Sequence, residues 1–329
     1  MRRVLTAILF ATLFCTPAFA VSRHWTGVVS ANWSEAANWE PAGVPTAADD
    51  LQFPGWPVRR DLHFDLPAWT SVGPMSFLAD YSISGNPMTL TGDLGFTSDP
   101  SAVPVTFNTD LKLGNAVRFW GPYQLTINGA IDINGKTLRM GTTYSTILNG
   151  PIAGSGTFII DPRGVWLIGG GTFSGLIEGN AFVTGSYPSA TFQSPWLTGS
   201  GTTGATTVQA LSPGEWQPSL YHDPHTAGMM RSGPLSITSQ YSVDLVPGGS
   251  SDRVEVTGSV SIAGTLAITI PSGTSPLPGE SFTIIDNDGV DAVSGAFAGL
   301  SEGSTINTGS PTLTISYRGG DGNDIVLTA

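Results

Sequence analysis

The chain has 329 residues, with 13 basic and 25 acidic side chains, a net charge of −12, 42 glycines, 24 prolines and one cysteine. So acidic a surface repels nucleic acid and anionic lipid, because a polyphosphate is bound through a positive footprint. Hydrophobic residues make up 40% of the chain and fall in short runs, which excludes a disordered chain despite the glycine and proline content.

Residues 1–20 read as an export signal. Arg2 and Arg3 form the positive start, Val4 to Phe14 the apolar stretch, and Ala18-Phe19-Ala20 the small-residue site for cleavage before Val21. The stretch is too short for a bilayer, and no later segment approaches about 18 uninterrupted apolar residues. The expectation is a secreted, extracellular monomer without a membrane span, free or loosely held at the cell surface. Cys15 lies in the leader behind the bulky Phe14, which argues against lipidation, so the exported chain has no cysteine and no disulfide. Stability must then come from the core.

Residues 21–57 carry Trp25, Trp33 and Trp39. Tryptophan faces can stack on sugars, but three so close together are expected to pack as an N-terminal cap. Asp49 and Asp50 point to opposite faces if they enter a strand, so a turn-capping role is expected over a cooperating acid pair. Only Ser34 to Asn38 could make a helical turn, which Pro41 would end.

Residues 58–250 read as a solenoid whose first part, to Arg118, is irregular, with turns at Gly85-Asn86-Pro87 and Gly92-Asp93. From Leu125 to Phe192 the pattern sharpens. Apolar residues alternate as Leu125/Ile127, Ile131/Ile133, Phe158/Ile160 and Trp166/Ile168, the period of a strand with one buried face. Asn128-Gly129, Asn149-Gly150 and Gly169-Gly170 recur at intervals of 21 and 20 residues. Each interval reads as one turn of a coil that buries its inner face only by stacking on its neighbours. The paired turns are expected to lie in one axial row, with glycine supplying positive φ at each corner.

Residues 215–233 interrupt the pattern as an insertion loop containing His222, Asp223 and His225. Zinc or copper would need further nitrogen or sulfur donors, so a solvated loop is expected, with Met229 and Met230 packing on the flank. Residues 251–329 have strands joined by Gly/Pro/Asp turns and read as a β-rich cap, which covers the edge an open coil would expose.

The start HWTGVVSANWSEAANWEPAGVPTAADD, the later LTGSGTTGATTVQALSPG and SDRVEVTGSVSIAGTLAITI, and the final ISYRGGDGNDIVLT together resemble secreted bacterial proteins with autotransporter-associated β-strand repeats. The resemblance covers nearly all of the chain after the leader and implies a passenger-like, right-handed parallel β-helix that is not an enzyme. Unlike autotransporters, the sequence shows no C-terminal membrane barrel of amphipathic strands.

Gly299-Leu-Ser301-Glu-Gly303 matches a nucleophile elbow, but no helix follows and the last histidine, His225, precedes it. Asp286-Asn287-Asp288-Gly289 departs from a calcium loop at Val290 and Asp291, so a hairpin turn is expected. Gly319 to Leu327 fits the calcium-binding nonapeptide, yet one copy supplies half of the ligands. A hairpin of Thr312–Tyr317 with Ile325–Thr328 is expected, with Asp321 and Asp324 facing solvent. Arg59, Arg60, Asp61, His63 and Asp65 are the best approximation to the acid and base cluster of a polysaccharide lyase.

No catalytic set, cofactor or metal is expected. The expected role is structural or adhesive, toward an extracellular surface, polysaccharide or protein. A carbohydrate-active β-helix and a calcium-stabilised matrix component are the alternatives.

Overall fold

In a computed structural model, residues 20–57, 59–96, 105–122, 124–142, 146–214, 227–309 and 312–329 are described. Among them regular structure is strand throughout, apart from the 3-10 turn Ala36–Asn38, capped by Glu35, within the expected helical turn. No helix of the described residues is long and apolar enough to cross a membrane.

Alternation decides how each strand sits. Val105–Phe107, Leu111–Leu113 and Leu125–Ile127 each bury their first and third side chains and leave the middle one half-exposed. The strands form sheets of 21, five and eight strands, in which most pairs are parallel, and none closes as a barrel. One column stacks Val105 on Leu125, Leu125 on Thr146, Thr146 on Val165 and Val165 on Ala181. A second stacks Leu51 on Met75 and Met75 on Leu94. A third stacks Thr70 on Met88, Met88 on Leu111, Leu111 on Ile131 and Ile131 on Ile152. The chain therefore visits three faces in turn and meets itself in parallel on each circuit. Its core is the shared interior, where Phe53 stacks on Phe77 with ring centroids 4.6 Å apart and Phe77 on Phe96 at 5.7 Å.

The recurrent turns do lie in one row. Asn149 Nδ2 donates to Asn128 Oδ1 at 2.8 Å, and Asn128 Nδ2 to Asn108 Oδ1 at 2.7 Å. The expected reason for the glycines is corrected, since of the glycines in these three pairs only Gly170 has positive φ, at 66°. Gly129 and Gly150 are required by closeness: a Cβ on Gly150 would overlap the Gly129 carbonyl oxygen, and one on Gly129 the Thr109 carbonyl oxygen. Backbone rests on backbone at this corner.

The N-terminal end is closed by aromatics. Trp25, Trp33 and Trp39 are buried, and Trp39 meets Trp25 and Trp33 edge to face at 5.1 and 5.4 Å. Asp49 ends the turn before the strand Asp50–Phe53 and accepts bonds from Val21 N at 3.2 Å, Arg23 Nε at 3.0 Å and Thr46 N at 2.9 Å. Burial opposes its ionisation, but the bonds from Thr46, Arg23 and Val21 outweigh it and hold the carboxyl below its usual range.

Parallel stacking continues beyond residue 251, with Arg253–Val256 pairing between Met229–Ser232 and Ser281–Asn287. At the C-terminal end the pairing turns antiparallel. Leu313–Gly319 pairs with Asp324–Thr328, Ile315 opposite Leu327, as the expected hairpin, and its second strand covers Ser281–Asn287.

Asp321 is exposed, but Asp324 is 7% exposed, a correction to the expected solvent-facing turn. The hairpin's second strand pairs with Ser281–Asn287, so its first residue caps that neighbour, accepting the Asn287 N–H at 2.9 Å. Burial pushes the Asp324 carboxyl above its ordinary range, Asp286 and Asp321 push the same way, and the Asn287 bond opposes them. A carboxyl with a raised folded pKa holds its proton more tightly when folded, so its contribution to stability falls as pH rises through that pKa. Asp324→Asn, which keeps the acceptor oxygen, is expected to melt higher than wild type at pH 7, with the gain gone below about pH 4. Asp324→Ala orphans the Asn287 N–H and is expected to melt lower at both pH values. Melting curves at the two pH values check this, and an Asn variant less stable at pH 7 would contradict it.

Candidate functional site

Most residues singled out in the sequence hold the fold. Arg59 donates to the Gly27 carbonyl, Arg60 pairs with Asp80, and Asp65 accepts the Ser34 N–H at 2.9 Å together with its hydroxyl. His63 bridges to the N-terminal segment, its N–H on the Ala31 carbonyl and its carbonyl receiving Trp33 N–H. Asp61 starts the strand Asp61–Phe64, exposed. This set fastens the cap to the stack and does not converge on one point. Ser301 lies in a turn beside Ser304, with their hydroxyls 3.1 Å apart. Asp286 lies 3.6 Å from Arg253, and Asp288 accepts the Gly258 N–H at 2.7 Å. That segment turns a corner rather than closing the expected hairpin, because the next strand, Ser294–Gly295, rejoins the parallel stack. Met230 is buried in the core, and the strand Met229–Ser232 belongs to the eight-stranded sheet. His222, Asp223 and His225 lie outside the described residues. Among the described residues no three His, Cys, Asp or Glu side chains are placed to hold a metal ion.

The site that the sequence reading missed is on the outer flank. From residue 156 onward the strands Gly156–Leu167, Leu176–Val183, Thr191–Gly199 and Thr206–Pro213 run across two faces without a turn. They bend instead, with register shifts between Ile160 and Val165 and between Glu178 and Ala181. Outside the bend lies a groove of about 730 Å³ lined by Arg139, Asp161, Glu178, Gln193, Thr207 and Gln209, among others.

The groove crosses the strands. Arg118 pairs with Arg139, Arg139 with Ile159, Ile159 with Glu178, Glu178 with Gln193, Gln193 with Thr207 and Thr207 with Ser236, one outward position per strand. Arg139 grips Asp161 through two bonds, Nη2 to Oδ1 at 2.7 Å and Nε to Oδ2 at 3.1 Å. Those bonds raise the guanidinium pKa further, aided by the charge of Glu178. Beyond Arg118 the exposed Trp120 lies over Gly95, where a Cβ would collide with the indole. Asp161 and Arg118 both reach over Gly141, the strand partner of Trp120. The arrangement offers donors, acceptors and an aromatic face to a ligand lying along the flank. Asp161 is committed to Arg139, which suits recognition better than proton transfer.

Compared with known families, curated proteins and solved structures, the chain matches none.

Proposed function

We propose that the chain is an exported, non-catalytic, right-handed β-helix resembling passengers with autotransporter-associated repeats, which acts structurally or adhesively through its lateral surface. The observation that carries this reading is the outward column from Arg118 to Ser236, one polar or apolar position per stacked strand, beside an open groove. A right-handed coil is the sense that parallel crossover connections overwhelmingly adopt. Export is supported at the cleavage point: Val21 N lies 3.2 Å from Asp49 Oδ1. Cleavage before Val21 would put a new ammonium beside a buried carboxylate, an ion pair ready to receive it.

The carbohydrate-active alternative has one observation in its favour, the Arg139, Asp161 and Glu178 set in a groove. Both readings are tested with the chain produced from Val21. It should adhere to intact bacterial cells and leave soluble polysaccharides uncleaved. Turnover abolished by Asp161→Asn would establish the enzyme, and no retention on any surface would overturn the adhesive reading.

A further inference from the structure

We infer that the groove outside the bend takes one extended, uncharged polysaccharide chain lying across the strands. This rests on the lateral-surface reading above and names its ligand class. Parallel strands are spaced about 4.8 Å apart, close to the length of one pyranose ring in an extended chain. The groove presents Arg139, Ile159, Glu178, Gln193 and Thr207 at paired positions of successive strands, so an extended glycan meets one outward side chain per strand, polar at all of them but Ile159.

A sugar hydroxyl both donates and accepts, and the groove supplies donors only from Arg139, acceptors only from Asp161 and Glu178, and both from Gln193, Gln209 and Thr207. Ile159 and Pro195 add apolar patches between them, and Trp120 offers an indole face farther along the flank. A peptide gains most of its affinity by adding a strand to a free sheet edge. Here the groove crosses interior strands, each flanked by a neighbouring strand on both sides, so it offers no free sheet edge. A polyanion is disfavoured by the chain's net charge of −12.

The test is titration calorimetry of the chain from Val21 with long oligosaccharides of glucan, mannan and xylan, and with polygalacturonate as the charged comparator. At least one neutral oligosaccharide is expected to give a saturable isotherm. Glu178→Ala and Gln193→Ala should weaken it about ten-fold each. Both side chains are exposed, so neither change should disturb folding, which melting curves verify. Lys112→Ala, on the five-stranded sheet, should leave binding unchanged. No neutral binding, binding of polygalacturonate alone, or affinity indifferent to the groove variants would each overturn the inference. So would self-association abolished by Glu178→Ala, which would give the groove to a second copy. If adhesion to intact cells persists in every groove variant while no oligosaccharide binds, the glycan inference fails and the lateral-surface reading stands. Loss of both sinks both.

Discussion

Gly150→Ala is expected to destabilise the protein by about 3 kcal/mol or more and to lower its soluble yield sharply. The added methyl group would meet the Gly129 carbonyl oxygen and Asn128 backbone directly beneath it, and neither can swing aside as a side chain would. Relief would require opening the hydrogen bonds by which Asn149 N and Gly150 N both reach the Ile127 carbonyl, at 2.8 and 3.2 Å. Gly135→Ala is the control, since Gly135 has φ 71° with open space around it. Its cost is that of a left-handed backbone alone, about 1–2 kcal/mol. Urea melts of the two variants separate the causes. Equal losses would mean that the corner tolerates a side chain and that backbone does not rest on backbone there.

Trp33→Ala is expected to cost about 3–5 kcal/mol. The side chain is fully buried, with Trp39, Phe64 and Phe53 at centroid distances of 5.4, 5.1 and 5.6 Å. No neighbour can refill the space, because Trp39 is tied by its indole N–H to the Trp33 carbonyl at 3.0 Å. The loss also opens the end of the stack, so light scattering should show self-association alongside the lower melt. Trp56→Ala, at a residue 62% exposed, should stay within about 0.5 kcal/mol of wild type. A Trp33 variant as stable as the Trp56 variant would remove the cap from the core.

The features legible in the sequence were those encoded locally. Leu125/Ile127 and Ile131/Ile133 show their buried face in the alternation itself, and the Asn128 and Asn149 turns show the circuit length by recurring. The tryptophan cap was legible because three large aromatics in one short stretch have nowhere else to go. What the sequence hid depended on which strands become neighbours. Asp324 reads as a turn carboxylate until Ser281–Asn287 is placed beside it, and then its carboxylate accepts the Asn287 N–H. Arg139, Asp161 and Glu178 each read as an ordinary outward residue on an alternating strand. Their meeting depends on stacking in register and on bends that shift the register, and neither leaves a mark in any one segment. The circuit also shortens, to Phe192 on Thr206, and its sequence mark is brief, Thr184-Gly185-Ser186 recurring as Thr198-Gly199-Ser200.

The stacked circuit is tested most directly by through-hydrogen-bond scalar couplings in a deuterated, isotope-labelled sample. Such couplings connect an amide nitrogen only to the carbonyl carbon it bonds. The expected correlations join Asn128 N to the Phe107 carbonyl, Asn149 N to the Ile127 carbonyl and Ile168 N to the Leu148 carbonyl, pairs 2.8, 2.8 and 3.0 Å apart from nitrogen to oxygen. Observing all three would establish consecutive circuits in register along one corner. Correlations from these amides to other carbonyls, or to partners in antiparallel hairpins, would contradict the architecture and with it the groove that the architecture creates.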